Sequence, residues 1–148
     1  MVQPAIDEKE KKVPLAKRIV DMEISEKIQL AMTGDKEARC LIARTGNKLI
    51  LSYLLQNPRI TEQEILQLAN TKDLPKEIIV LLLQKKSWMK KYPIRLAMVK
   101  NPKLPIHQAM KLLNTLRDSD LRKMVRSKDV SNALATCARR ILMRRGLL

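Results

Sequence analysis

Phenylalanine is absent from this 148-residue chain, and one tryptophan (Trp88) and two tyrosines (Tyr53, Tyr92) make up its whole aromatic content. A core without rings must be filled by Leu, Ile, Met and Ala, side chains that sit well in helices. Glycine is nearly as scarce, with only Gly34, Gly46 and Gly146. No Asn-Gly or Asp-Gly pair occurs, so the tightest hairpin turns are missing and a sheet protein is disfavoured. Three isolated glycines also cannot build a phosphate-cradling loop. The longest apolar run, Ile78 to Leu83, is far short of the about 20 residues that span a bilayer. The opening stretch MVQPAIDEKEKKVPL lacks the apolar centre of a secretory signal, and a cytoplasmic location is expected. Cys40 and Cys137 lie far apart in helical patterns and read as buried thiols of a reducing compartment. With His107 the only histidine, the chain cannot assemble a Cys/His zinc site alone. No metal and no cofactor is expected.

What remains is a string of short amphipathic segments. Residues 1–13 are charged and aperiodic and read as a flexible lead. Residues 14–148 read as one helical domain. A first helix is expected from Pro14 to about Met22. Ser25 is a candidate cap for a helix that stops at Gly34, and Asp35 caps the next, which closes at Gly46. Asn47 opens a helix ending before Pro58, and Thr61 with Glu64 forms a capping-box pattern. Pro75, Pro93 and Pro105 sit at helix starts, where a missing N–H costs nothing. Asp118 or Ser119, then Asp129 or Ser131, cap the last two helices. Eight or nine helices result, with Met98, Leu112, Leu113 and Leu121 in the core and Lys90, Lys103 and Arg122 exposed.

The segments echo one another. LLQNPRITEQEILQLANT from Leu54 and MVKNPKLPIHQAMKLLNT from Met98 share Asn-Pro and Asn-Thr at an offset of 44 residues. A weaker echo links IQLAMTG to IRLAMVK. Helical periods of this length mark HEAT-type or armadillo-type arrays, in which neighbouring units share a core that no unit could bury alone. The text KIQLAMTGDKEARCLIARTGNKLILSYLLQNPRIT, WMKKYPIRLAMVKNPKLP and LRKMVRSKDVSNALATCARRIL resembles a bacterial group of small HEAT-like proteins related to the leucine-rich repeat variants. That resemblance covers roughly residues 23–142. It implies an all-α, right-handed αα superhelix and brings no function with it. Broader HEAT-like relatives include protein-binding scaffolds and alkylpurine-type DNA glycosylases, which hold duplex on a basic concave face and use an acidic residue beside aromatic rings. No residue of this chain can be assigned that acidic role.

Charge is the strongest functional signal. Residues 1–74 hold 12 Lys and Arg against 11 Asp and Glu, whereas residues 75–148 hold 18 against 4. Such a field attracts polyanions. One candidate patch gathers Lys85, Lys86, Trp88, Lys90, Lys91, Tyr92 and Arg95, followed by Lys103. Trp88 and Tyr92, four apart, read as sharing one helical turn. They either stack on bases beside phosphate-binding lysines or wedge neighbouring helices together. A second patch holds Arg117, Arg122, Lys123, Arg126 and Lys128, and a third holds Arg139 and Arg140 with Arg144 and Arg145. The bland reading of both is solvated surface.

No catalytic constellation accompanies the charge. His107 lacks a partner, and Asp118 and Asp120 are explained by capping. Non-catalytic binding of nucleic acid, DNA or RNA, is therefore the leading expectation. A protein-interaction scaffold for an acidic partner comes next, and a glycosylase-like enzyme using Trp88 or Tyr92 with Asp118 or Asp120 is a remote third. Charge reversal at Arg122 and Arg126 is expected to weaken binding more than reversal at Arg39 and Arg44.

Overall fold

The computed structural model describes residues 13–45 and 47–148, and among them it contains eleven α-helices and no strand. The expected lead segment lies outside the described residues except for Val13, as does Gly46. The chain forms two compact units, the first ending at Thr61 and the second beginning at Glu62.

The first unit comprises α1 (Leu15–Asp21), α2 (Ile24–Thr33), α3 (Lys36–Thr45) and α4 (Lys48–Leu54). α2, α3 and α4 pack against each other, and α1 lies on α3. Ile19, Ala31, Ile42, Ile50, Leu51 and Leu54 fill this core. Two starts follow the sequence closely. The Asp35 carboxylate accepts the Ala38 N–H at 2.9 Å, and the Asn47 side chain accepts the Ile50 N–H at 3.0 Å. Each satisfies an N–H that the helix itself leaves over. Ser25 is not a cap: α2 begins at Ile24 with Glu23 ahead of it, which leaves the serine inside the first turn.

The second unit comprises α5 (Glu62–Ala69), α6 (Lys76–Gln84), the one-turn α7 (Lys86–Met89), α8 (Tyr92–Lys100), α9 (Ile106–Leu113), α10 (Asp118–Arg126) and α11 (Asn132–Arg144). α5 packs on α8, α8 on α9, α9 on α11, and α10 on α11. Pro75 and Pro105 precede α6 and α9 at φ −56°, the angle their rings impose. Ser131 caps α11 by accepting the Leu134 N–H at 3.3 Å. Asp118 is not a cap but the first residue of α10, where its charge faces the positive helix end. Met98, Leu113 and Leu121 are buried as expected, and Lys90, Lys103 and Arg122 are exposed. Leu112 departs from expectation and is only half-buried. The inward stripe of α9 runs through Ala109 and Leu113, one turn apart, and Leu112 falls on its flank. The two cysteines are half-buried and free rather than buried.

The Asn-Pro echo has a structural meaning. Asn57 is 2% exposed; its amide donates to the carbonyls of Ala31 at 3.0 Å and Gly34 at 3.3 Å, and its Oδ1 accepts the Arg59 N–H at 2.9 Å. Asn101, 5% exposed, does the same in the second unit. It donates to the Ala69 and Thr71 carbonyls at 2.8 and 3.0 Å, and it accepts the Lys103 N–H at 2.9 Å. Each asparagine satisfies carbonyls left over at the end of a helix, α2 or α5, and holds its own loop with the remaining oxygen. A further step of 44 residues from Asn101 reaches Arg145. Its guanidinium donates to the Leu116 and Asn114 carbonyls at 3.1 and 3.0 Å, just beyond the end of α9. The third position binds helix-end carbonyls as the two asparagines do, with a guanidinium in place of the amide.

Candidate polyanion-binding surface

The second unit carries 19 Lys and Arg against 7 Asp and Glu. Lys85, Lys86, Lys90, Lys91, Lys103, Arg117, Arg122, Lys123, Arg126, Lys128, Arg139 and Arg140 are all exposed, as anion-binding groups need to be. Arg95 and Tyr92 are half-buried, and Trp88 is buried.

The aromatic–basic segment does not form one helical face. α7 ends at Met89 and α8 starts at Tyr92, so the two rings stand on different helices. Trp88 is 8% exposed, with the Lys85 ammonium 4.2 Å from its ring centroid. It is a core residue under a cationic cover and is not presented for stacking on a base. Arg95 faces inward in part: its Nη1 donates to the Met89 and Lys90 carbonyls at 2.9 and 3.2 Å, closing the end of α7. The short helix that separates the rings is thus held by a residue first assigned to the binding patch.

Tyr92 is a latch between α8 and α10. Its hydroxyl donates to Asp120 Oδ2 and accepts the Arg117 N–H at 3.0 Å. The Arg117 and Arg95 guanidinium groups lie 4.2 and 5.4 Å from its ring centroid, within reach of cation–π attraction. Burial pushes the phenol's pKa above its ordinary value, and the hydrogen bond to Asp120 pushes the same way, while Arg117 pulls down. The folded state therefore favours the neutral phenol. Its contribution is complete below the ordinary tyrosine pKa of about 10 and is lost as pH rises through the higher folded value. Tyr92→Phe should accordingly be less stable than the native chain by about 1 kcal/mol at neutral pH, for loss of the hydrogen bond. That gap should narrow above pH of about 10. Thermal melts across the alkaline range check it; a gap that stays constant would contradict the latch.

Both carboxylates considered for chemistry are occupied. Asp120 holds Tyr92, and Asp118 pairs with Arg145 at 2.7 Å. A base-excision site would need an exposed ring beside a free carboxylate, and Trp88, Tyr92, Asp118 and Asp120 do not supply that arrangement. Lys91 pairs with Glu62 at 3.1 Å, but both are exposed and the pair contributes little. His107 is exposed in the first turn of α9, as expected of a surface residue.

One concavity stands on the basic unit, an open hollow of about 350 Å³ where the C-terminal ends of α5, α8 and α10 converge. Ala69, Ala97, Met124 and Val130 line it, with Lys72, Lys100 and Lys123 adding three cations and Asp129 one anion. Asn101 also lines it, its amide committed to Ala69 and Thr71. Of the residues singled out from sequence, only Lys123 belongs here. Lys72 and Lys100 were missed because they stand in different segments, each beyond or at the end of a helix, and only the fold joins them. Arg139 and Arg140 lie on the exposed side of α11 and do not line the hollow.

No protein-family model matches this chain, and neither does any curated protein or solved structure. The site must therefore be read from its own chemistry. None of the described helices is long and apolar enough to cross a membrane. One control suggested by sequence also changes. Arg39 is 6% exposed and its Nη1 donates to the Gly34 carbonyl at 3.1 Å, so reversing its charge would attack the first unit's core rather than probe its surface.

Proposed function

We propose that the protein binds nucleic acid without catalysis, through the phosphates, using the exposed cations of its second unit, and that its helices form a HEAT-like repeat array. The carrying observation is the excess of 19 basic over 7 acidic residues in that unit, most of the cations being exposed. Clustered like charge costs self-repulsion, and a polyanion relieves it. The array reading is supported by the recurrence of one clamping bond pattern at Asn57 and Asn101, and by Arg145, 44 residues further on, donating to carbonyls beyond a helix end. With Trp88 buried and Tyr92 engaged, base stacking adds little, so affinity should depend on phosphate charge and show little preference for sequence.

Titration of labelled duplex and single-stranded oligonucleotides at several salt concentrations tests this. If about six phosphates are contacted, a log–log salt slope near −5 is expected. Charge reversal at Arg122 and Arg126 should weaken binding far more than reversal at Lys36 and Arg44, both exposed in the first unit. No binding at low salt would remove the proposal. A second reading, an acidic protein partner, draws on the same excess of exposed cations. Partners that survive nuclease treatment in a pull-down would support it over the first.

A further inference from the structure

Resting on the nucleic-acid reading above, we infer that the hollow at the ends of α5, α8 and α10 is the seat for one nucleotide of the bound strand. Its phosphate would meet Lys72, Lys100 and Lys123, and its base would lie over Val130, close enough for the buried Met124 methyl to sense it. Three observations join here. First, the three lysines come from three separate segments yet line one concavity, and none of them makes an ion pair among the described residues. An excess of cations over a single carboxylate suits a phosphate. Second, the volume of about 350 Å³ lies at the small end of the range for ligand sites, enough for a nucleotide-sized body and too small for a helix. Third, the lining is mixed in the way a nucleotide is mixed. Val130, half-buried, offers apolar surface to the face of a base, and the aliphatic stems of the lysines extend it, with Met124, Ala69 and Ala97 buried in the wall behind.

Asp129 decides between occupants. A carboxylate on the lining repels a phosphate and an acidic side chain alike, but it can accept a hydrogen bond from a sugar hydroxyl or an exocyclic amine, donors that Asp and Glu side chains lack. The Asn101 amide is committed to two carbonyls, whereas the Ser127 hydroxyl oxygen accepts the Asp129 N–H at 3.1 Å and its O–H can still donate to a ligand.

The test uses the full chain and reads the Met124 methyl resonance. Adenosine 5′-monophosphate and a labelled 12-mer should each shift it, and inorganic phosphate or adenosine alone should require at least about tenfold more ligand, since each lacks half of the contacts. Replacing Lys72, Lys100 and Lys123 together by Ala should lower 12-mer affinity at low salt by about tenfold or more. Replacing Lys86, Lys111 and Lys128, which are exposed and do not line the hollow, removes the same charge and should cost only about threefold. Circular dichroism confirms that both triple variants fold. If the 12-mer binds while Met124 stays unmoved, or if the two triple variants lose equal affinity, the nucleotide seat is wrong though nucleic-acid binding stands. A glutamate decapeptide that shifts Met124 as strongly as the nucleotide would likewise overturn the seat. Failure of the 12-mer to bind at all instead removes the function proposed above.

Discussion

Asn101→Ala should destabilise the second unit by about 3 kcal/mol, near the upper end for a polar substitution. The change removes the amide that serves the Ala69 and Thr71 carbonyls, and the oxygen that serves the Lys103 N–H. Each such bond is worth about 1 kcal/mol net, and a buried group left unmatched costs about 1–3. The residue is 5% exposed, so water does not readily take its place. For a chain of this size the melting temperature should fall by about 10 °C. Asn101→Asp is the sharper probe. It keeps the oxygen that accepts from Lys103 but sets a carboxylate against two carbonyl oxygens. It should be at least as damaging as the alanine at neutral pH and should recover in part as acid protonates it. An aspartate variant as stable as the native chain would refute the bonding described.

Gly34→Ala should destabilise the first unit by about 2–4 kcal/mol. The sign is the informative part. Gly34 has φ −68° and ψ 157°, extended backbone that any residue adopts. At such a position a glycine-to-alanine change ordinarily stabilises by about 0.4–1 kcal/mol, by restricting the unfolded chain. Here the added Cβ would lie 2.5 Å from the Leu30 carbonyl oxygen and 2.7 Å from the Ala38 Cβ. The Leu30 oxygen cannot retreat cheaply, because it also accepts the Gly34 N–H at 2.7 Å. The Gly34 carbonyl meanwhile accepts from Arg39 and Asn57, so a shift of this corner loosens two buried side chains as well. Thermal or urea unfolding measures the change, and a stabilised alanine variant would show that the corner has room.

The all-helical class, most helix starts and most of the core are legible in the sequence because they rest on local chemistry. Asp35, Asn47 and Ser131 cap the helices their positions announce, each bonding three residues ahead. Ser25 and Asp118 fail because the helix begins one or more residues earlier than their cap preference suggests. The repeat of Asn-Pro is visible as text, but its role is not, since the carbonyls that Asn57 and Asn101 bind lie 23 to 32 residues upstream. Arg145 escapes notice because its position keeps the task and changes the side chain. The site is less legible than the fold. Grouping cations by sequence neighbourhood joined Trp88 to Tyr92 across a helix break and left out Lys72 and Lys100, which only tertiary structure brings to Lys123.

The clamps at Asn57, Asn101 and Arg145 also bear on how the chain is made. Each ties a loop to carbonyls no more than 32 residues behind it, inside the unit to which it belongs. Contacts of such short reach close quickly, because little chain entropy is lost in forming them. During synthesis each group of helices could be fastened soon after its last helix leaves the ribosome, without waiting for the residues still to come. A stall once Asn57 has emerged from the ribosome but before Asn101 does so should therefore leave a nascent chain whose first group is already locked.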